Sequence, residues 1–274
     1  MLPKLGFSLE MKYDRPMEQV IGLLREAGFT ALSPLYGQDI SAIAECARAC
    51  NMALQSLHAP PKGMALLWQP DDPKSAALQK DMLDSLSVCA RFGIPLLVVH
   101  GWQGMPYTFP DSPLDFTFWD TFVHRAQALG VAIAFENLEG EEYLAALLER
   151  YREKPHIGFC WDSGHDRCYP HTRDFLAAFG DRLIMTHLND NFGVTGSAYT
   201  SKDDRHLLPF DGNTDWDLQL GRLKNSRNQD TLNFELKTLS HGIQTYPKWT
   251  LEQFITEAAT RALRIAEIYA KITL

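Results

Sequence analysis

No apolar stretch in this 274-residue chain approaches the roughly 20 residues that a membrane-spanning helix requires. Its first residues, Met1-Leu2-Pro3-Lys4, lack the apolar centre of a secretory leader. The five cysteines are odd in number and contain no Cys-x-x-Cys pair, which argues against a disulfide framework and suits a reducing, cytoplasmic setting. Cys46 and Cys50 share a face of a predicted helix and read as small buried residues. Basic excess is also missing: 26 Lys and Arg against 34 Asp and Glu leave a net charge of −8, in no long block of one sign. Electrostatic docking on nucleic acid or an anionic membrane is therefore not expected. Neither a shift in composition nor a low-complexity segment marks a linker, so residues 1–274 read as one domain.

What is present is a regular alternation. Short apolar runs bounded by turn residues fall near 4–8, 29–33, 53–58, 96–100, 131–136, 157–162, 183–188 and 231–236. Such runs suit strands buried on both faces of a parallel sheet. Helical patterns lie between them, near 16–27, 39–50, 73–91, 115–129, 140–152, 173–179 and 215–224, with a final helix over 251–271. Pro16 and Pro73 suit first turns, and Gly28, Gly93 and Gly130 suit helix stops. Eight strand–helix units in a chain of this length predict an α/β (β/α)₈ TIM barrel.

Six consecutive runs end on residues that bind divalent metals: His58, His100, Glu136, Asp162, His187 and Glu235. A side chain at the C-terminal end of a parallel strand points into the crevice where such folds bind ligands. Glu136, Asp162, His187 and Glu235 would offer three carboxylates and an imidazole, a set suited to manganese, cobalt, magnesium, iron or zinc. His165, three residues beyond Asp162, is expected to face the same pocket. Asp204 and His206 flank Arg205 in a polar loop. His58 and His100 are read either as site residues or as hydrogen-bonding partners of strand ends. His124, His156, His171 and His241 fall in predicted helices or turns and are assigned to the surface. The long segments after His58, His100 and His187 carry Trp68, Trp102, Tyr107, Phe109 and Tyr199, which either close over a substrate or pack the loops together.

The chain resembles the xylose isomerase-like TIM-barrel superfamily, which includes sugar isomerases and epimerases and the apurinic/apyrimidinic endonucleases. The resemblance runs from about Leu5 to Leu236. It is carried by Ser56-Leu57-His58-Ala59-Pro60, Val98-Val99-His100, Phe135-Glu136-Asn137, Trp161-Asp162-Ser163-Gly164-His165, Thr186-His187-Leu188-Asn189-Asp190-Asn191, the segment from Asp204 to Gly212, and Phe234-Glu235. By resemblance to the epimerase branch, one divalent ion is held by Glu136, Asp162, His187 and Glu235. The two glutamates then exchange protons with opposite faces of a ketose or related sugar, phosphorylated or not, through an enediolate. His165, with His58, His100 and Arg205, would be substrate-side. The endonuclease branch implies up to three zinc ions, with His58, His100, His165, Asp204 and His206 as additional ligands. Sugar chemistry is preferred, because the net charge is −8 and the site-side loops offer few basic residues beyond Lys62, Arg167, Lys202 and Arg205. A non-catalytic sugar- or metal-binding barrel is the third reading. A small-molecule sugar is the expected partner, without nucleic acid or membrane; a homo-oligomer is compatible with the sequence.

Overall fold

A computed structural model describes residues 1–11, 13–227 and 229–273. Its parallel strands are β1 (Lys4–Ser8), β2 (Ala31–Ser33), β3 (Ala53–Leu54), β4 (Leu57–His58), β5 (Leu96–His100), β6 (Ala132–Glu136), β7 (Ile157–Asp162), β8 (Leu183–His187) and β9 (Thr231–Phe234). One arc runs β3-β2-β1-β9 and the other β4-β5-β6-β7-β8. Two joints close the ring: Leu35 bridges His58, and Leu188 bridges Phe234. With β3 and β4 as halves of one strand, the eight positions of a (β/α)₈ barrel are filled, as the alternation predicts.

The third strand is broken where the sequence reads one run over 53–58, and the backbone gives the reason. Gln55 N donates to Leu32 O at 2.8 Å, and the next bond comes from His58 N to Pro34 O at 2.8 Å. Three residues on this strand therefore face two on β2, which is a bulge. Pro34 has no N–H to return to the ladder, so regular pairing stops there.

Helices α1 (Met17–Ala27), α2 (Ile40–Ala49), α3 (Ala76–Phe92), α4 (Thr117–Leu129), α5 (Glu141–Arg150), α6 (Ser163–Cys168), α7 (Phe175–Phe179), α8 (Trp216–Lys224) and α9 (Leu251–Lys271) follow the strands. Their buried residues recur at helical spacing, as in Phe254, Ile255, Ala258, Ala262, Ile265, Ala266 and Tyr269 of α9. Gly28, Gly93 and Gly130 end their helices in the left-handed conformation. Pro73 opens a 3₁₀ turn, Pro73–Ser75, just ahead of α3. Among the elements not legible in the sequence are α6 and a hairpin of β10 (Leu239–Ser240) with β11 (Ile243–Gln244). Its turn, His241-Gly242, has φ of 47° and 79°, the left-handed pair that tight hairpins use. No described helix is long and apolar enough to cross a membrane.

The main core lies between strands and helices. Alternate strand residues face inward instead, where Leu96, Val98, Ala134, Cys160 and Met185 form a separate cluster. On the other side of the barrel the inward layer is polar: Asn233 Nδ2 donates to Ser33 Oγ at 2.7 Å, and Ser8 Oγ to Asn233 Oδ1 at 3.0 Å. Gln55 Oε1 would lie 2.6 Å from a Cβ on Gly6, so a larger residue there would have to displace the Gln55 carboxamide. His100, Glu136, Asp162, His187 and Glu235 share the parity of these inward residues, one step nearer the C-terminal mouth.

Candidate metal centre

Glu136, Asp162, His187 and Glu235 each place a donor atom within 4.8 Å of the others. With metal–ligand bonds of about 2.1 Å, opposite ligands of one ion stand about 4.2 Å apart. The four therefore need little movement to share one ion. Nδ1 of His187 lies 2.9 Å from Glu136 Oε1 and 2.8 Å from Glu235 Oε2. Asp162 is fixed by its neighbours: Asn189 Nδ2 reaches its two oxygens at 3.1 and 2.9 Å, and Oδ1 caps α6 by accepting from His165 N at 2.7 Å. Asn137 pairs with the Asp162 backbone, taking its N–H at 2.7 Å and donating to its C=O at 2.9 Å.

All four are buried, and burying carboxylates is costly without a counter-charge. Burial pushes Asp162 up to about 6, against the pull of His165. Burial pushes Glu136 up as well, but His187, with hydrogen bonds from His100, His165 and His187, outweighs it and holds the carboxyl well below the usual range. For Glu235 burial is outweighed by Lys237, His206 and His187. Burial would lower His187, yet Glu136 and Glu235 hold it well above its ordinary value. Three carboxylates and an imidazole with donor atoms this close together form a set that fits a divalent ion.

Besides a group that includes Cys160, two groups of three donors satisfy the same distance: His58, His100 and Glu136, and His165, Asp204 and His206. His58 Nε2 and His100 Nε2 face Glu136 Oε2 at 3.3 and 3.2 Å. Both histidines also reach carbonyls, Ala59 O at 2.7 Å and Pro61 O at 3.2 Å, so each faces Glu136 and also hydrogen-bonds near a strand end. His165 Nδ1 meets Asn137 O at 2.9 Å, leaving Nε2 3.5 Å from Asp204 Oδ2. His206 Nε2 is 3.2 Å from the same oxygen. Its φ of 49° is uncommon for a non-glycine residue, and backbone strain of this kind gathers at functional sites. Cys160 also approaches Glu136 and His187, but burial keeps its thiol protonated.

A cavity of about 240 Å³ opens above this set, walled by Glu10, His58, His100, His165, Glu235 and Lys237, among others. Larger grooves of about 450 and 550 Å³ lie on the outer helices, away from these donors. Among the described residues the wall includes Glu235 but not Glu136, Asp162 or His187, which form the layer beneath. Arg205 is not brought to it either: its Nε donates to Lys202 O at 2.8 Å. Among the described residues a lysine stands in the cavity instead: Lys237 is ion-paired with Glu235 and 3.4 Å from Glu10 Oε2. His241, assigned to the surface from sequence, borders the cavity with Nε2 3.4 Å from Asp204 Oδ2. The loop aromatics pack on one another: Trp102 stacks on Tyr143 at 4.3 Å, Phe109 meets Tyr143 at 5.0 Å, and Tyr199 meets Tyr169 at 4.6 Å.

Glu10 and Lys237 escaped the sequence reading because each lies just beyond an apolar run. Parity could have found them. Gly6-x-Ser8-x-Glu10 and Asn233-x-Glu235-x-Lys237 continue the inward face of β1 and β9. His241 carries no comparable signal, because a hairpin the sequence does not announce brings it in.

Protein y4fM of Sinorhizobium fredii, an uncharacterized protein, is 41% identical over 131 residues; the match takes in 45% of this chain and only 39% of y4fM's length. The crystal structure of an IolI protein with a zinc atom superposes with a TM-score of 0.74 at 16% identity, covering 98% of this chain and 100% of that one. A D-psicose 3-epimerase solved in the presence of D-fructose gives 0.70 at 16% identity, covering 96% and 98%. Identities this low establish the fold alone. The family described as xylose isomerase-like TIM barrel matches residues 21–259. Closed by eight strand positions and matched over most of its length, the chain belongs to the xylose isomerase-like TIM-barrel family.

Proposed function

We propose that the protein is a divalent-metal-dependent isomerase or epimerase of a ketose or related sugar. The carrying observation is that Glu136, Asp162, His187 and Glu235 converge within 4.8 Å directly under a cavity of about 240 Å³. Fold neighbours that include a D-psicose 3-epimerase support the choice of substrate class by analogy. An ion held by the four, manganese, cobalt, magnesium or zinc, would supply the positive charge that stabilises an enediolate.

The side chains divide the remaining work. Glu235 borders the cavity and takes the carbon-bound proton. Returning it from the same carboxylate to the neighbouring carbon, with the hydroxyl proton passing between the two oxygens, interconverts ketose and aldose. Inversion at a carbon needs a second base on the other face, and Glu136 is the candidate. His58, His100 and His165 line the cavity and would hydrogen-bond sugar oxygens there. Burial of the charged layer excludes water and strengthens each of these interactions.

A second reading, a zinc-dependent phosphoesterase of the apurinic/apyrimidinic endonuclease type, is favoured by one observation: nine donors gather in three adjoining sets. The net charge of −8 weighs against gripping a DNA duplex. Incubating the metal-reconstituted protein with a ketose panel in heavy water, beside an abasic-site duplex, separates the two. Deuterium entering a sugar carbon is expected. Strand cleavage with no exchange in any sugar would overturn the proposal.

A further inference from the structure

Among the described residues that border the cavity, Lys237 is the one lysine, and its surroundings decide what else can occupy the mouth. Its ammonium is ion-paired with Glu235, lies 3.4 Å from Glu10 Oε2 and 3.4 Å from His206 Nε2. That last nitrogen matters. His206 Nδ1 is turned to the Glu235 backbone at 3.3 Å, while Nε2 faces Asp204 Oδ2 at 3.2 Å. An ion shared by His206 and Asp204 would use Nε2.

We propose that Lys237 is a built-in cation that keeps the His165–Asp204–His206 set free of metal and reserves it for substrate hydroxyls. The inference rests on the reading of Glu136, Asp162, His187 and Glu235 as the metal centre. With an ion about 2.1 Å from Nε2 and the ammonium 3.4 Å from the same atom, the two charges stand at most about 5.5 Å apart. At an effective dielectric of about 20, a dication so close to an ammonium loses on the order of 10⁴-fold in affinity. The ammonium is not free to withdraw. Two carboxylates hold its head, and the Lys237 backbone N–H donates to His206 O at 3.1 Å, which ties β9's extension to the loop carrying the set. Its charge also offsets Glu10, Asp204 and Glu235, the task a second metal would otherwise perform.

Reserved in this way, the set keeps its hydrogen-bonding capacity. Asp204 Oδ1 is buried and has no hydrogen-bond partner among the described residues, so a sugar hydroxyl donating to it would satisfy an atom that otherwise bears a desolvation cost. His165 Nε2 lies on the same side of the cavity and reaches only as far as Asp204 at 3.5 Å.

The test counts metal. Full-length parent protein, Lys237→Met, Lys237→Arg and Lys237→Met/His206→Ala are titrated calorimetrically with zinc, and bound metal is measured by mass spectrometry. Lys237→Met should bind one equivalent more than the parent, with that step tightened at least 10²-fold. Lys237→Arg should match the parent, and the double variant should lose the added equivalent. Equal counts in parent and Lys237→Met overturn the proposal. Should Lys237→Met fail to fold, His206→Ala in the parent background decides: an unchanged count supports the assignment, and the loss of one equivalent defeats it. A parent that binds no metal at all speaks instead against the four-residue centre, so the two failures are distinguishable.

Discussion

Glu136 and Glu235 meet at a single nitrogen: Nδ1 of His187 lies 2.9 Å from one carboxylate and 2.8 Å from the other. One imidazolium proton cannot satisfy both acceptors, so a bound cation should stabilise this fold measurably. At one hundred times its dissociation constant an ion adds about 2.7 kcal/mol, which for a domain of this size is about 5–10 °C in melting temperature. Exhaustive chelation should lower Tm by that amount, and manganese or cobalt should restore it. An unchanged Tm by differential scanning fluorimetry would count against the centre.

Glu235→Gln keeps the shape and one ligand oxygen but removes the base that borders the cavity. Turnover should fall by roughly 10²–10⁴-fold, with metal content largely retained. Solvent deuterium should enter the sugar at the carbon that loses its proton in the parent enzyme, and correspondingly slowly in the variant. Inversion over many turnovers without any exchange would point to a hydride shift.

Asn189 holds both oxygens of Asp162, and Gly164 makes room for it: a Cβ there would lie 1.8 Å from Asn189 Oδ1. Gly164→Ala should displace the carboxamide and weaken metal binding by roughly 10–100-fold, the usual effect of losing a ligand's supporting partner. The loss should show in a competition assay with a chromogenic chelator. Affinity equal to that of the parent would mean that Asp162 needs no such support.

Glu141, away from the metal set, anchors the segment before α7. It accepts from Thr172 N and Arg173 N at 3.0 Å each and from the Thr172 hydroxyl. Burial raises its pKa, but these donors outweigh it and hold it below the ordinary 4.5. Its stabilising effect is therefore complete above about pH 4.5 and is lost as pH falls through the folded-state value. Glu141→Gln should cost roughly 1–3 kcal/mol at pH 7, and urea melts of the two proteins should converge as pH drops below 4.5. A gap that persists in acid would show that shape, not charge, is what the position supplies.

The strand ends were readable along the chain because a strand buried on both faces must be apolar until it reaches the mouth. The first polar residue after such a run is then an end residue, and His100, Glu136 and Asp162 announce themselves in this way, whereas Thr186 and Asn233 come ahead of His187 and Glu235. The rest depended on neighbours distant in sequence. Pro34 breaks the third strand only because β2 lies beside it, and His241 reaches Asp204 only through a hairpin folded back over the mouth. Composition could show a net charge of −8 but not that Lys237, two residues past Glu235, is a cation inside while Arg205 stays on its loop. Local sequence determined which residues end strands, since burial acts on each strand by itself. The barrel's closure decided which of them share a point, because distance between side chains is set by how the strands are ordered and staggered around the ring.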